Sequence, residues 1–260
     1  MVTDGLLAWY AACRRDLPWR ASREPYPVWV SEVMLQQTRV EAVIPYFHRF
    51  MAALPTVEAL SNAPEEQLLK LWEGLGYYSR VRNMRKAAQR IVALGGFPRT
   101  ARELKALSGF GEYTSGAVAS IAFGERVPAV DGNVMRVYAR MARVGESIKL
   151  PSVKKACAGW VMAEMPQDAD PGIFNQALME LGATVCTPRG PKCAACPVRA
   201  RCAARANGEE EDYPVKEAQT AKAQEEFDVY LIVRDGRALV RRRPARGLLA
   251  GLWEFPHGID

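Results

Sequence analysis

The sequence has 260 residues, 49% hydrophobic and 25% charged, which gives enough apolar chain for one large domain or two small ones and argues against wholesale disorder. Its net charge of +6 fits a polyanionic partner, although a solvated basic surface carries the same excess. No basic segment leads into an apolar run after Met1, and no apolar stretch is long enough to span a bilayer. The expectation is a soluble cytoplasmic protein with no membrane partner.

In chain order, residues 5–205 read as helix. Apolar residues recur at spacings of three and four, as in Val30, Val33 and Met34, or Leu60, Leu68 and Leu71. Breaks are expected at Leu54-Pro55-Thr56, from Leu94 through Gly95 and Gly96 to Pro98, from Gly124 to Pro128, and at Met165-Pro166. Thr56, and the run Ser61-Asn62-Ala63-Pro64, supply helix starts. The chain then turns polar and acidic at Asn207-Gly208-Glu209-Glu210-Glu211-Asp212, and residues 206–226 read as a linker. From Phe227 to Val233 the pattern is strand-like. Asp235-Gly236 marks a hairpin turn, and a second strand follows at Ala238-Leu239-Val240. This β unit reaches Asp260 too soon to bury a core, so the sequence is expected to be an incomplete copy of a longer one.

Three local patterns carry chemistry. Four of the six cysteines crowd together with the spacing Cys186-x6-Cys193-x2-Cys196-x5-Cys202, which suits one metal centre or cluster; four thiolates satisfy zinc as well as iron. Cys13 and Cys157 stand outside the pattern as small hydrophobes, and neither His48 nor His257 lies in a metal-binding spacing. In Leu107-Ser108-Gly109-Phe110-Gly111-Glu112-Tyr113, two glycines permit a tight turn with positive φ. The helix that follows, from about Tyr113 to Phe123, presents free N–H groups to an anion. Finally, Glu32 is flanked by apolar residues on its helix, which places it in a partly dry cleft where its carboxyl would hold a proton near neutral pH. Asp131, in Val130-Asp131-Gly132-Asn133, reads either as a helix cap or as a second functional acid.

Together these segments resemble the endonuclease III/MutY superfamily of helix–hairpin–helix DNA glycosylases, over almost all of residues 6–202 and in the family's order. Within it, the run Glu32-Val33-Met34-Leu35-Gln36-Gln37-Thr38 is similar to the MutY branch. The resemblance implies an all-α, two-lobed catalytic region. Residues 26–128 would form a six-helix barrel with the hairpin, and residues 1–25 with 129–205 an iron–sulfur domain. A linker (206–226) and the first strands of a Nudix-like domain (227–260) would follow. It implies a 4Fe–4S cluster on Cys186, Cys193, Cys196 and Cys202, and backbone phosphate contacts at Gly109 and Gly111. It also implies a monomer acting on double-stranded DNA that carries adenine opposite 8-oxoguanine or guanine.

In that reading Glu32 is the acid on the departing adenine and Asp131 stabilises the cationic sugar, with Tyr113 and Asn133 in support. Tyr113 stands where lyase members of the superfamily carry a lysine that forms a Schiff base, which argues for base removal without strand cleavage. Base flipping requires wedges, assigned to Gln37, Leu75 and Tyr77; Trp19, Arg20 and Gln176 are assigned to the base pocket. Arg80, Arg82, Arg85 and Lys86 read as cations on the phosphate side or a solvated helix face, and Glu180 and Glu112 as ordinary acids. The alternatives are a thymine mismatch glycosylase, an endonuclease III-type lyase and a non-catalytic iron–sulfur DNA-binding module.

Overall fold

The computed structural model describes residues 3–215, 224, 226, 228–244, 247 and 249–258. They divide into two units, Met1–Glu217 and Ala218–Asp260. All α-helices among the described residues belong to the first: α1 (Thr3–Cys13), α2 (Pro25–Met34), α3 (Val40–Ala53), α4 (Val57–Asn62), α5 (Glu65–Trp72), α6 (Ser79–Ala93), α7 (Ala101–Leu104), α8 (Glu112–Phe123), α9 (Gly132–Ala142), α10 (Pro151–Glu164), α11 (Pro171–Thr184) and α12 (Ala203–Asn207). None of them is long and apolar enough to cross a membrane.

Short side chains set the helix starts. The Thr56 hydroxyl accepts from the Ala59 N–H, and Thr100 and Glu103 cap each other reciprocally at α7. Asp131 and Asp170 accept from the N–H groups of Val134 and Ile173. Proline opens α2, α10 and α11, where its missing N–H costs nothing. Gly124 ends α8 in the left-handed region, at the break expected from sequence.

Two apolar cores result. The first joins α2 to α8 around Trp29, Phe50, Trp72 and Ile91. The second is built by Leu6 and Tyr10 of α1 with α9, α10 and α11, around Cys157, Phe174 and Leu181. Helix α11 packs on both α8 and α9 and so ties the cores together. Its Gly182 allows the contact, because a Cβ there would lie 2.6 Å from the Asn133 Cβ. Asn175, fully buried on the same helix, completes the junction. Its amide donates to Ser120 Oγ and to the Val127 carbonyl at 2.9 Å each, and its oxygen accepts from the Ala129 N–H at 3.2 Å. The loop entering α9 is thereby held by a side chain from 46 residues away.

In the second unit, three antiparallel pairs occur among the described residues: β1 (Asp228–Val229) with β6 (His257–Gly258), β2 (Val233–Arg234) with β3 (Arg237–Ala238), and β4 (Arg241–Arg242) with β5 (Trp253–Glu254). Asp235 and Gly236 both take positive φ, 51° and 71°, which is the Asp-Gly hairpin turn expected there. The single strand expected over 227–233 is instead two short strands separated at Tyr230, Leu231 and Ile232. These apolar side chains are exposed, so burial does not hold a ladder beyond the turn. Phe227, Leu248 and the linker positions 216–223 and 225 lie outside the described residues.

Replacing Asn175 by Ala strands the Ala129 N–H and the Val127 carbonyl in the interior. The expected loss is about 2–3 kcal/mol of unfolding free energy, read from the urea midpoint at unchanged slope.

Candidate active site

Helix α2 carries Glu32 one turn before its end, between Ser31 and Val33, all three buried. Helix α8 brings Tyr113 against it, and the phenol donates a short hydrogen bond to Glu32 Oε2, with Met179 Sδ 3.7 Å from the Tyr113 hydroxyl. Burial pushes the Glu32 carboxyl up to about 7. The Tyr113 hydrogen bond opposes this, the nearby Asp131 charge adds to it, and Arg20 pulls it down. The Tyr113 phenol is itself pushed well above its usual range by burial and by Glu32, so it remains a donor.

Asp131 is the N-cap of α9. One oxygen accepts from the Val134 N–H at 2.8 Å and the other from Asn133 Nδ2 at 2.7 Å. Burial raises its carboxyl, and these bonds partly offset the rise. Asn133 is fixed in turn by Arg136, whose Nη2 donates to Asn133 Oδ1 and to the Gly182 carbonyl, while its Nε donates to the Cys186 carbonyl, at 2.7 Å each.

Glu180 departs from its expected place. It is 1% exposed rather than an ordinary surface acid, and it binds Arg15 through both oxygens at 2.7 and 3.0 Å and Arg20 at 2.8 Å. Burial alone would raise its carboxyl; the two guanidinium groups outweigh burial and hold it at about 2. Arg20 also lies over the Tyr10 ring, whose hydroxyl donates to Gln176 Oε1. Arg20 and Gln176 therefore meet in one polar cluster below Glu32, whereas Trp19 packs edge-on against Phe47 in the first core. Sequence reasoning missed Glu180 and Arg15. The one available signal was the apolar stretch around Glu180, Leu178-Met179 before it and Leu181 after it.

The hairpin forms at Gly109, φ 79°, where a Cβ would approach that of Asn83 to 2.9 Å. Gly111 is extended and serves as the N-cap of α8, which begins at Glu112, one residue earlier than expected. Of the wedge candidates, Gln37 is exposed and Tyr77 is 64% exposed, both at positive φ. Leu75 is 6% exposed and packs in the first core, so it is not presented as a wedge in this structure. Arg80 turns inward instead of standing on a phosphate-facing surface.

Cys186, Cys193, Cys196 and Cys202 line one cavity together with Arg140 and Glu210. Among the described residues, no three His, Cys, Asp or Glu side chains are gathered at metal-holding spacing. The donor set nonetheless fits a sulfur-ligated centre. Arg140 is 1% exposed, donates to Cys186 Sγ at 3.3 Å, and keeps a buried Nη2 without a partner, a cation suited to balancing thiolate charge.

A family model described as HhH-GPD superfamily base excision DNA repair protein matches residues 30–162. The adenine DNA glycosylase of Arabidopsis thaliana is 42% identical over 98% of this chain and 47% of its own length. That of Homo sapiens is 40% identical over 96% and 56%. That of Buchnera aphidicola subsp. Acyrthosiphon pisum is 33% identical over 96% and 72%. Among solved structures, a thermostable thymine-DNA glycosylase superposes with a TM-score of 0.68 at 27% identity, covering 78% of this chain and 94% of that one. A trapped endonuclease III–DNA covalent intermediate shares the fold, with a TM-score of 0.66 at 24% identity over 79% and 94%. The chain belongs to the HhH-GPD superfamily of base excision DNA repair proteins and, within that class, to the MutY-type adenine DNA glycosylase family. It spans about half the length of several of these relatives, 47% and 56% for the Arabidopsis and human proteins.

A buried carboxyl whose folded value lies above the unfolded one binds its proton more tightly in the folded protein. Its contribution is intact below about pH 4.5 and is lost as pH rises toward 7. The neutral isostere Glu32→Gln removes that loss. At pH 8 the variant is expected to be more stable than the parent by about 3 kcal/mol, and at pH 4 nearly equal, by urea unfolding at each pH.

Proposed function

We propose that this protein removes adenine mispaired with 8-oxoguanine or guanine by hydrolysing its N-glycosidic bond. The observation that carries the proposal is the buried Glu32 carboxyl, poised near 7 and aimed by Tyr113 within the field of Asp131. Adenine is a poor anion, so the C1′–N9 bond breaks readily only if the base gains a proton. Glu32 supplies it, at N7, and is half-protonated at working pH. The sugar turns cationic as the base leaves, and the Asp131 carboxylate faces that charge. At ~4 Å and an effective dielectric near 20, the attraction is about 4 kcal/mol, roughly three orders of magnitude in rate. A water then adds to C1′, its oxygen forming the new bond and its proton passing to a carboxylate. Tyr113 cannot form a Schiff base, so the abasic strand stays intact.

In this reading Arg20 and Gln176 face the extruded base, with Trp19 supporting the pocket from the core, while Gln37 and Tyr77 enter the duplex and the hairpin at Gly109 and Gly111 holds a phosphate. Residues 26–128 make up the hairpin lobe, and 1–25 with 129–205 the lobe of the cysteine loop. The four cysteines hold a 4Fe–4S cluster, which would organise the loop carrying Lys192, Arg199 and Arg201 against the DNA backbone. Residues 227–260 begin a Nudix-like domain that recognises the opposite 8-oxoguanine. A second reading, removal of mispaired thymine, draws on the likeness to the thymine-DNA glycosylase.

Single-turnover assays on A:8-oxoguanine and T:G duplexes separate these readings. The expected result is cleavage of the adenine strand only after alkali, with Glu32→Gln and Asp131→Asn each slower by about a thousandfold or more. Breaks without alkali would refute base removal without strand cleavage, and loss of thymine in preference to adenine would refute the adenine assignment. For the cluster, anaerobically purified protein is expected to be brown and to contain iron and sulfide in equal amounts, with Cys196→Ser losing both. Colourless protein with one zinc per chain defeats the cluster assignment.

A further inference from the structure

Arg80 lies in the first turn of α6 and, among the described residues, meets no carboxylate; its two terminal nitrogens donate to five backbone carbonyls, while its buried Nε has no hydrogen-bond partner. Nη1 donates to Val33 O at 2.8 Å, Met34 O at 3.2 Å and Gln36 O at 2.7 Å, sharing its two hydrogens among the three. Nη2 donates to Leu75 O at 2.8 Å and Gly76 O at 3.2 Å. The guanidinium carbon stands 5.2 Å from the centre of the Trp72 ring and 5.9 Å from that of Tyr77.

The first two acceptors belong to the end of α2, where helix carbonyls have no amide to reach them, and the third to the turn that follows it. The other two belong to the turn between α5 and α6. One planar cation therefore spans the C-terminus of the helix that carries Glu32 and the loop that carries Tyr77. Both loops hold unfavourable backbone. Gln37 sits at φ 62° and Tyr77 at φ 46°, next to Gly74 and Gly76 at 96° and 68°. A non-glycine residue in this region is strained and persists only where its surroundings over-determine it. Arg80 supplies that surrounding for both loops at once. With both Nη groups spent on carbonyls and its Nε buried, the guanidinium is not turned toward a phosphate.

We propose that Arg80 is a positioning residue that clamps the Gln37 and Tyr77 loops into one rigid wedge, so that both side chains enter the duplex together while the α2 turn bearing Glu32 stays fixed. The part about entry rests on the base-flipping reading above; the clamp itself does not. Lysine cannot replace the fork, since a single ammonium cannot bridge two sets of carbonyls in a fixed plane.

Arg80→Lys is the first variant, and Arg80→Met, which keeps the stem over Trp72, is the second. Hydrogen exchange on the free protein is expected to quicken in residues 35–38 and 74–78 and to stay unchanged in α8. Single-turnover excision of adenine is expected to fall roughly a hundredfold. Combining Arg80→Lys with Tyr77→Ala is expected to cost clearly less than the product of the two separate losses, because the first acts partly through the second. Unchanged exchange in either loop overturns the proposal, as do losses that simply multiply. If the parent protein leaves adenine untouched, the adenine reading fails, and the exchange measurement still decides the clamp.

Discussion

The arrangement turns on one costly act, the burial of a carboxyl group against a phenol. Among the described residues Glu32 has gained only Tyr113 as a hydrogen-bond partner in exchange for water, so its proton is held near neutrality. A direct guanidinium partner would undo this by pulling the carboxyl back into the ordinary acid range. Arg20 is near enough to exert that pull, yet its Nη2 is bound to Glu180 at 2.8 Å and its Nη1 to the Arg15 carbonyl at 3.0 Å. Glu180 thus does two things from beneath the site. It neutralises cations that would ionise Glu32, and it fixes the orientation of the Arg20 guanidinium. Two buried acids that both feel Arg20 are driven apart, one held at about 2 and the other at about 7. Their different partners produce the division: paired guanidinium groups for the first and a phenol for the second.

The helical framework was legible because its signals are local. Thr56 and Gly124 act on their own backbone neighbours and were found where the sequence placed them, whereas of the run expected to start a helix Ser61 and Asn62 close α4 and only Pro64 stands at the entry of α5. The Asp235-Gly236 turn was legible for the same reason. Glu32 could be singled out because its apolar neighbours on α2 reported its burial. What could not be read were pairings across the chain. Glu180 meets Arg15 at a separation of 165 residues, and Arg80 meets Val33 at 47. A charged residue on a helix carries no mark of whether its partner is water or a distant carbonyl, so Glu180 and Arg80 were read as surface groups. Leu75 shows the opposite failure. A motif placed it beside Tyr77 as a wedge, whereas packing buried it and left only Tyr77 outside.

The same contrast governs where the molecule is rigid and where it stores strain. Asp131 is held as a helix cap, with both oxygens engaged by α9 itself, so its position follows from the helix start and costs little. Asn175 and Gly182 lock α11 to the loop and helix around it by hydrogen bonds and close contact. The unfavourable φ values at Gln37 and Tyr77 instead gather at the exposed rim, on loops held from behind by one guanidinium. That partition suits the proposed base-flipping role, in which a stiff duplex is to be distorted without distorting the acid. Deformation energy placed on α2 itself would tilt Glu32 away from Tyr113 and let water reach the carboxyl, which would lower its proton affinity. Under that proposal, strain at the rim, with the α2 terminus pinned through Val33, Met34 and Gln36, would let the protein push against a duplex while the carboxyl behind the rim stays dry.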